Sequence, residues 1–71
     1  MPGWEYVTIT VIYGRGERVD SVSYNSKTIF ILVKWSVVLR YLEHLKDQGW
    51  ELITVSPMGW GEMYKFKRSE E

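Results

Sequence analysis

Seventy-one residues allow one domain and no more, and a domain of that size buries too little surface to be stable by a wide margin. Nine basic side chains balance nine acidic ones, so the chain lacks the positive excess of a dedicated duplex-binding protein. Cysteine is absent and His44 is the one histidine, which removes disulfides and leaves neither a metal cage nor a cofactor signature to read.

Dense packing or association with another chain is what remains to support so small a fold, and four Trp, five Tyr and two Phe suit either. The first residues lack the positive cluster, apolar stretch and small-residue cleavage site of a leader peptide. The longest apolar run, residues 29–33 followed by Trp35, is too short to span a bilayer. The expectation is a soluble, cytoplasmic protein.

In chain order, Trp4–Tyr13 reads WEYVTITVIY, rich in β-branched and aromatic residues with no Gly or Pro, and predicts a strand. Val7, Ile9, Val11 and Tyr13 fall on one face; Trp4, Tyr6, Thr8, Thr10 and Ile12 fall on the other. Gly14-Arg15-Gly16 supplies a turn. Asn25-Ser26-Lys27 reads as a second turn, between extended pieces at Arg18–Tyr24 and residues 28–33. The second piece is continuously apolar, so periodicity leaves open whether it is a buried strand or the lead-in to a helix.

Residues 36–48 predict that helix: Trp35, Val38, Leu39, Leu42 and Leu45 make one apolar stripe, with Ser36 as its candidate N-cap. Gly49 stands where a left-handed residue ends a helix, and Trp50 where an apolar residue folds back onto Leu45. Residues 51–56 predict a strand with Trp50, Leu52 and Thr54 on one face and Ile53 and Val55 on the other. Residues 57–61 read as a turn and residues 62–68 as the closing strand, where Tyr64 and Phe66 alternate with Lys65 and Lys67.

Gly49-Trp50-Glu51-Leu52 at the helix end, Tyr64-Lys65-Phe66-Lys67-Arg68 in the closing strand and the aromatic opening Trp4-Glu5-Tyr6-Val7 carry a resemblance. The chain resembles the short bacterial proteins grouped as domain of unknown function four-one-seven-seven, over most of its length outside residues 14–34. The resemblance implies a β-β-α-β-β architecture and no activity.

Each candidate site has a plainer structural reading beside it. Gly49, Trp50 and Leu52 are accounted for as a helix stop and core. His44 lies on the polar helix face with no orienting partner in view. Gly14-Arg15-Gly16 and Gly59-Trp60-Gly61 have neither fingerprint nor P-loop spacing and read as hairpin turns. Lys65, Lys67 and Arg68, with Trp60 and with Arg15 and Arg18, suggest a basic aromatic surface for single-stranded nucleic acid; the plainer reading is that such lysines protect a strand edge.

These readings converge on an α+β domain, an antiparallel sheet of four to five strands with one helix on one face (β-β-[β]-α-β-β). One helix covers one face, so the other needs the segment 17–33 or a second copy. The expected function is a homo-oligomeric, non-enzymatic assembly module without cofactor or metal, with Trp4, Tyr6, Trp60, Lys65, Lys67 and Arg68 as its possible interaction surface. The alternatives are a weak single-stranded nucleic-acid binder and a small-ligand domain with an aromatic pocket between helix and sheet.

Overall fold

A computed structural model describes residues 3–69. The elements are β1 (Trp4–Tyr13), β2 (Arg18–Tyr24), β3 (Lys27–Lys34), α1 (Trp35–Asp47), β4 (Glu51–Met58) and β5 (Gly61–Ser69). They form one five-stranded sheet, ordered β3-β2-β1-β5-β4, in which every neighbouring pair is antiparallel. The α+β class and the single helix packed on the sheet are as the sequence predicts. The segment 17–33 does not cover the second face; it lengthens the sheet as β2 and β3.

Local chemistry sets the connections. Asn25 and Ser26 both have positive φ, 49° and 71°, the two-residue geometry whose twist matches a hairpin. Asn25 also ties that turn to β1: its N–H donates to Thr8 O at 2.8 Å, and its Oδ1 accepts from Thr8 N–H at 2.9 Å. Pro57 belongs to β4 rather than to the following turn. Because β4 is an edge strand, one of its sides needs no ladder donors, and proline is tolerated there.

The helix begins one residue earlier than predicted, at Trp35, whose N–H donates to Glu17 O at 2.9 Å. The cap position is therefore Lys34, which has no capping side-chain bond, and Ser36 is the second residue of the helix. The other end follows the expectation. Gly49 has φ +90°, Gly49 N–H bonds to Lys46 O at 3.0 Å and Trp50 N–H to Leu45 O at 3.1 Å, the paired bonds of a Schellman stop.

The core lies between α1 and one sheet face. Val7, Ile9 and Val11 of β1, Val19 and Val22 of β2, and Tyr64 and Phe66 of β5 meet Val38, Leu42 and Leu45 of the helix, with Trp50 closing one end. The helix packs chiefly on β2 and β3, where Tyr41 meets Phe30 edge-on at 5.4 Å between ring centroids. Leu39 is on its other flank, lining a cavity with Tyr13 and Trp35 at the helix start, and the helix packs less on β5 and β4. There Leu52 and Val55 are 42% and 40% exposed.

Those two residues share the helix-side face because a bulge at Ile53 interrupts the alternation: Leu52 pairs with Phe66, Thr54 with Lys65 and Val55 with Tyr64. Leu52 and Thr54 are thus on opposite faces, contrary to strict alternation. The molecule measures 45 × 22 × 18 Å with a radius of gyration of 12.6 Å, against about 11 Å for a compact chain of this length. Among the described residues no helix is long and apolar enough to cross a membrane.

Candidate functional site

The sheet face turned away from the helix is built mainly by β1 and β5. Side chains alternate along both strands, so burying Val7, Ile9, Val11, Tyr64 and Phe66 sends Trp4, Tyr6, Thr8 and Thr10 to the far side with Met63, Lys65 and Lys67. In register, Tyr6 pairs with Lys67, Thr8 with Lys65 and Thr10 with Met63. The Lys67 ammonium sits 4.6 Å from the Trp4 ring centroid and the Lys65 ammonium 5.8 Å from that of Tyr6. Trp4 and Tyr6 are 51% and 55% exposed. Around them the floor is hydroxyl-bearing: Ser21 and Ser23 follow from pairing with Ile12 and Thr10, and Thr54 and Ser56 from pairing with Lys65 and Met63.

Four of the six residues expected to form an interaction surface therefore come together, and two do not. Arg68 belongs to the helix side, in register with Glu5. Its Nε lies 2.9 Å from Glu5 Oε2, one terminal nitrogen donates to Gln48 O at 3.3 Å, and its guanidinium carbon is 4.4 Å from the Trp50 ring centroid. It clamps the first strand, the helix end and the last strand together. The parity that puts Tyr64 and Phe66 inward puts Arg68 with them, so its separation from Lys65 and Lys67 was readable from spacing. Trp60 is at the tip of the β4–β5 hairpin, 69% exposed, its carbonyl accepting from Tyr13 N–H at 2.8 Å. It lies roughly 30 Å along the strands from Trp4. Nor do the lysines protect an edge, since β5 is interior, between β1 and β4.

Two further features were invisible in the linear sequence. Glu62 on the helix-side face accepts hydrogen bonds from the hydroxyls of Tyr13 and of Tyr64, the latter at 3.1 Å. Burial, then the bond to Glu62 and its negative charge, push the Tyr64 phenol up to about 12. Tyr13 is also raised, chiefly by its bond to the carboxylate. Separately, a cavity of about 440 Å³ opens at the start of the helix, walled by Tyr13, Trp35 and Leu39 and flanked by Arg18, Lys34 and Glu17. Tyr13 and Trp35 meet there edge-on at 6.2 Å. Its size is that of a small-molecule site, in the helix–sheet position expected of an aromatic pocket. His44 is exposed beside a shallower groove with Phe30, Val37, Arg40 and Tyr41.

No family model matches the chain, and neither a curated protein nor a solved structure is significantly similar to it.

Proposed function

We propose that this domain is a non-enzymatic assembly module of the cytoplasm that associates with a second copy of itself. The observation that carries the reading is the half-covered helix side: α1 packs chiefly on β2 and β3, while Leu52 and Val55 of β4, on the same sheet face, stay 42% and 40% exposed. Exposed apolar side chains of this kind on a chain with eleven buried core residues among those described have most to gain from a partner, because small cores barely offset the entropy of ordering. Two copies related by a two-fold axis bring the same surface to itself, the commonest closed arrangement.

The titratable groups support a non-catalytic reading. The set Tyr13, Glu62 and Tyr64 moves its phenols away from neutrality, opposite to what a general base near pH 7 requires. A cysteine-free chain is also indifferent to a reducing compartment. The family resemblance attaches no activity to set against these points.

The test is light scattering on a sizing column over a concentration series. A stable multiple of the 8.4 kDa chain is expected, and the double variant Leu52→Glu, Val55→Glu reduces it to the monomer by burying charge at the contact. A wild-type chain that stays monomeric at high concentration refutes the proposal.

A further inference from the structure

We propose that the open face of the sheet binds single-stranded nucleic acid, with Trp4 and Tyr6 as base-stacking platforms and Lys65 and Lys67 as the phosphate contacts. This is independent of self-association, which uses the opposite side of the sheet. Charge divides unevenly between the two faces of β1 and β5. The chain is neutral overall, but the carboxylates of β1 and β5 are both on the helix side, Glu5 held by Arg68 and Glu62 by two tyrosine hydroxyls. Among the described residues the open side of the same two strands carries two lysines and no carboxylate, and Glu51 stands opposite Lys67 on the edge strand. Among the described residues neither lysine is in an ion pair, the pairs being Lys46–Glu43 and Arg68–Glu5. Net charge thus conceals a locally positive face, where counterion release favours a polyanion.

Geometry selects the kind of polyanion. Trp4 and Tyr6 are two residues apart on one strand, about 7 Å, and half of each side chain is open. Over each ring lies the ammonium of a flexible lysine, at 4.6 Å for Trp4 and 5.8 Å for Tyr6. An arriving base takes the ring face, and the displaced ammonium swings to the adjoining phosphate. That exchange needs only lysine rotamer changes, and both partners of the cation–π contact are satisfied anew. Thr8, Thr10, Ser21 and Ser23 continue the face with hydroxyls that donate or accept along the strand. A broad sheet face does not enter a duplex groove as a helix or a two-stranded ribbon does, so paired strands leave the rings unused. The interior position of β5 removes the competing account of its lysines as edge protection.

The test is fluorescence anisotropy of labelled oligothymidylate about 15 nucleotides long, titrated with the wild-type chain at several salt concentrations. Binding that weakens steeply with salt is expected. Trp4→Ala and Tyr6→Ala each lower affinity about tenfold, Trp4→Tyr and Tyr6→Phe retain most of it, and Lys65→Gln or Lys67→Gln each lowers the salt slope by about 0.7. Lys46→Gln, on the helix, leaves binding unchanged. The conservative ring variants separate lost stacking from lost folding, and circular dichroism of each variant checks the latter. The proposal is overturned if the wild-type chain does not bind at low salt. It is equally overturned if Trp4→Ala and Tyr6→Ala bind as well as wild type, or if heparin or anionic vesicles bind as tightly as oligothymidylate with both ring variants silent, which is polyanion attraction without base recognition.

Discussion

Glycine is demanded at two positions for different reasons, and the difference is measurable. A Cβ on Gly61 would lie 2.0 Å from the Val11 carbonyl oxygen, so β1 and β5 would have to part there. A Cβ on Gly49 meets nothing nearer than the Arg68 side chain at 3.6 Å, but φ there is +90°, and an L residue resists that conformation. Gly61→Ala is expected to cost about 3 kcal/mol and Gly49→Ala about 1 kcal/mol, read as the shift in urea midpoint. Equal losses would show that the β1–β5 approach relaxes more easily than its geometry suggests. The tyrosine pair gives a pH signature at the same scale. Tyr64 titrates near 12 when folded and near its ordinary 10.0 when unfolded, so above pH 10 the unfolded chain loses its proton first. Its contribution to stability is complete below pH 10 and disappears between pH 10 and 12. In Glu62→Ala, tyrosinate absorbance should show Tyr13 returning toward the ordinary value, since the carboxylate is its main cause. Tyr64 should stay elevated, since burial is its main cause.

Among the elements, α1 has a well-made end and a poorly made beginning. Its final turn has the Gly49 stop and Trp50 folded back, with His44 and Lys46 at the negative pole of the dipole. Its first turn has no acidic residue and a lysine at the cap, and Lys34 also stands opposite Arg18 across the β2–β3 ladder. Lys34→Asp supplies a capping oxygen, favours the dipole and replaces a like-charge neighbour with an opposite one. Stability is expected to rise by about 1 kcal/mol in urea unfolding; a loss would mean that the Lys34 stem contributes packing at the helix start. The good end was legible in the sequence because Gly49-Trp50 is a local signal. The beginning was not, because the chain turns at Trp35 through a bond to Glu17, eighteen positions away.

The same division runs through the whole molecule. The identity of the strands other than β3, the inward set Val7, Ile9, Val11, Tyr64 and Phe66, and the helical stripe follow from local signals, whereas periodicity left β3 open between strand and helix lead-in. The aromatic–lysine face was half legible. Trp4 and Tyr6 share a face by parity, as do Lys65 and Lys67, but only the register of β1 on β5 brings the two pairs together. The shared face of Leu52 and Val55 was hidden for another reason: one bulge at Ile53 reverses which side chains accompany Leu52, and no residue there announces it. The meeting of Tyr13 with Glu62, forty-nine positions apart, likewise depends on strand order and hairpin geometry that no short window contains.

The central strand, the first of the five in chain order, is the last to gain both its neighbours. β1 bonds to β5 from Ile12↔Gly61 to Trp4↔Ser69, so its second neighbour does not exist until residues 61–69 have left the ribosome. During synthesis β1, β2, β3 and α1 emerge with one flank of β1 unpaired and without Tyr64 and Phe66 to close the core. At roughly 5–20 residues per second, that exposed flank persists for seconds, longer than a hairpin takes to form. The cooperative folding of the domain waits for β5, on the slower timescale of a sheet sealed by sequence-distant pairing.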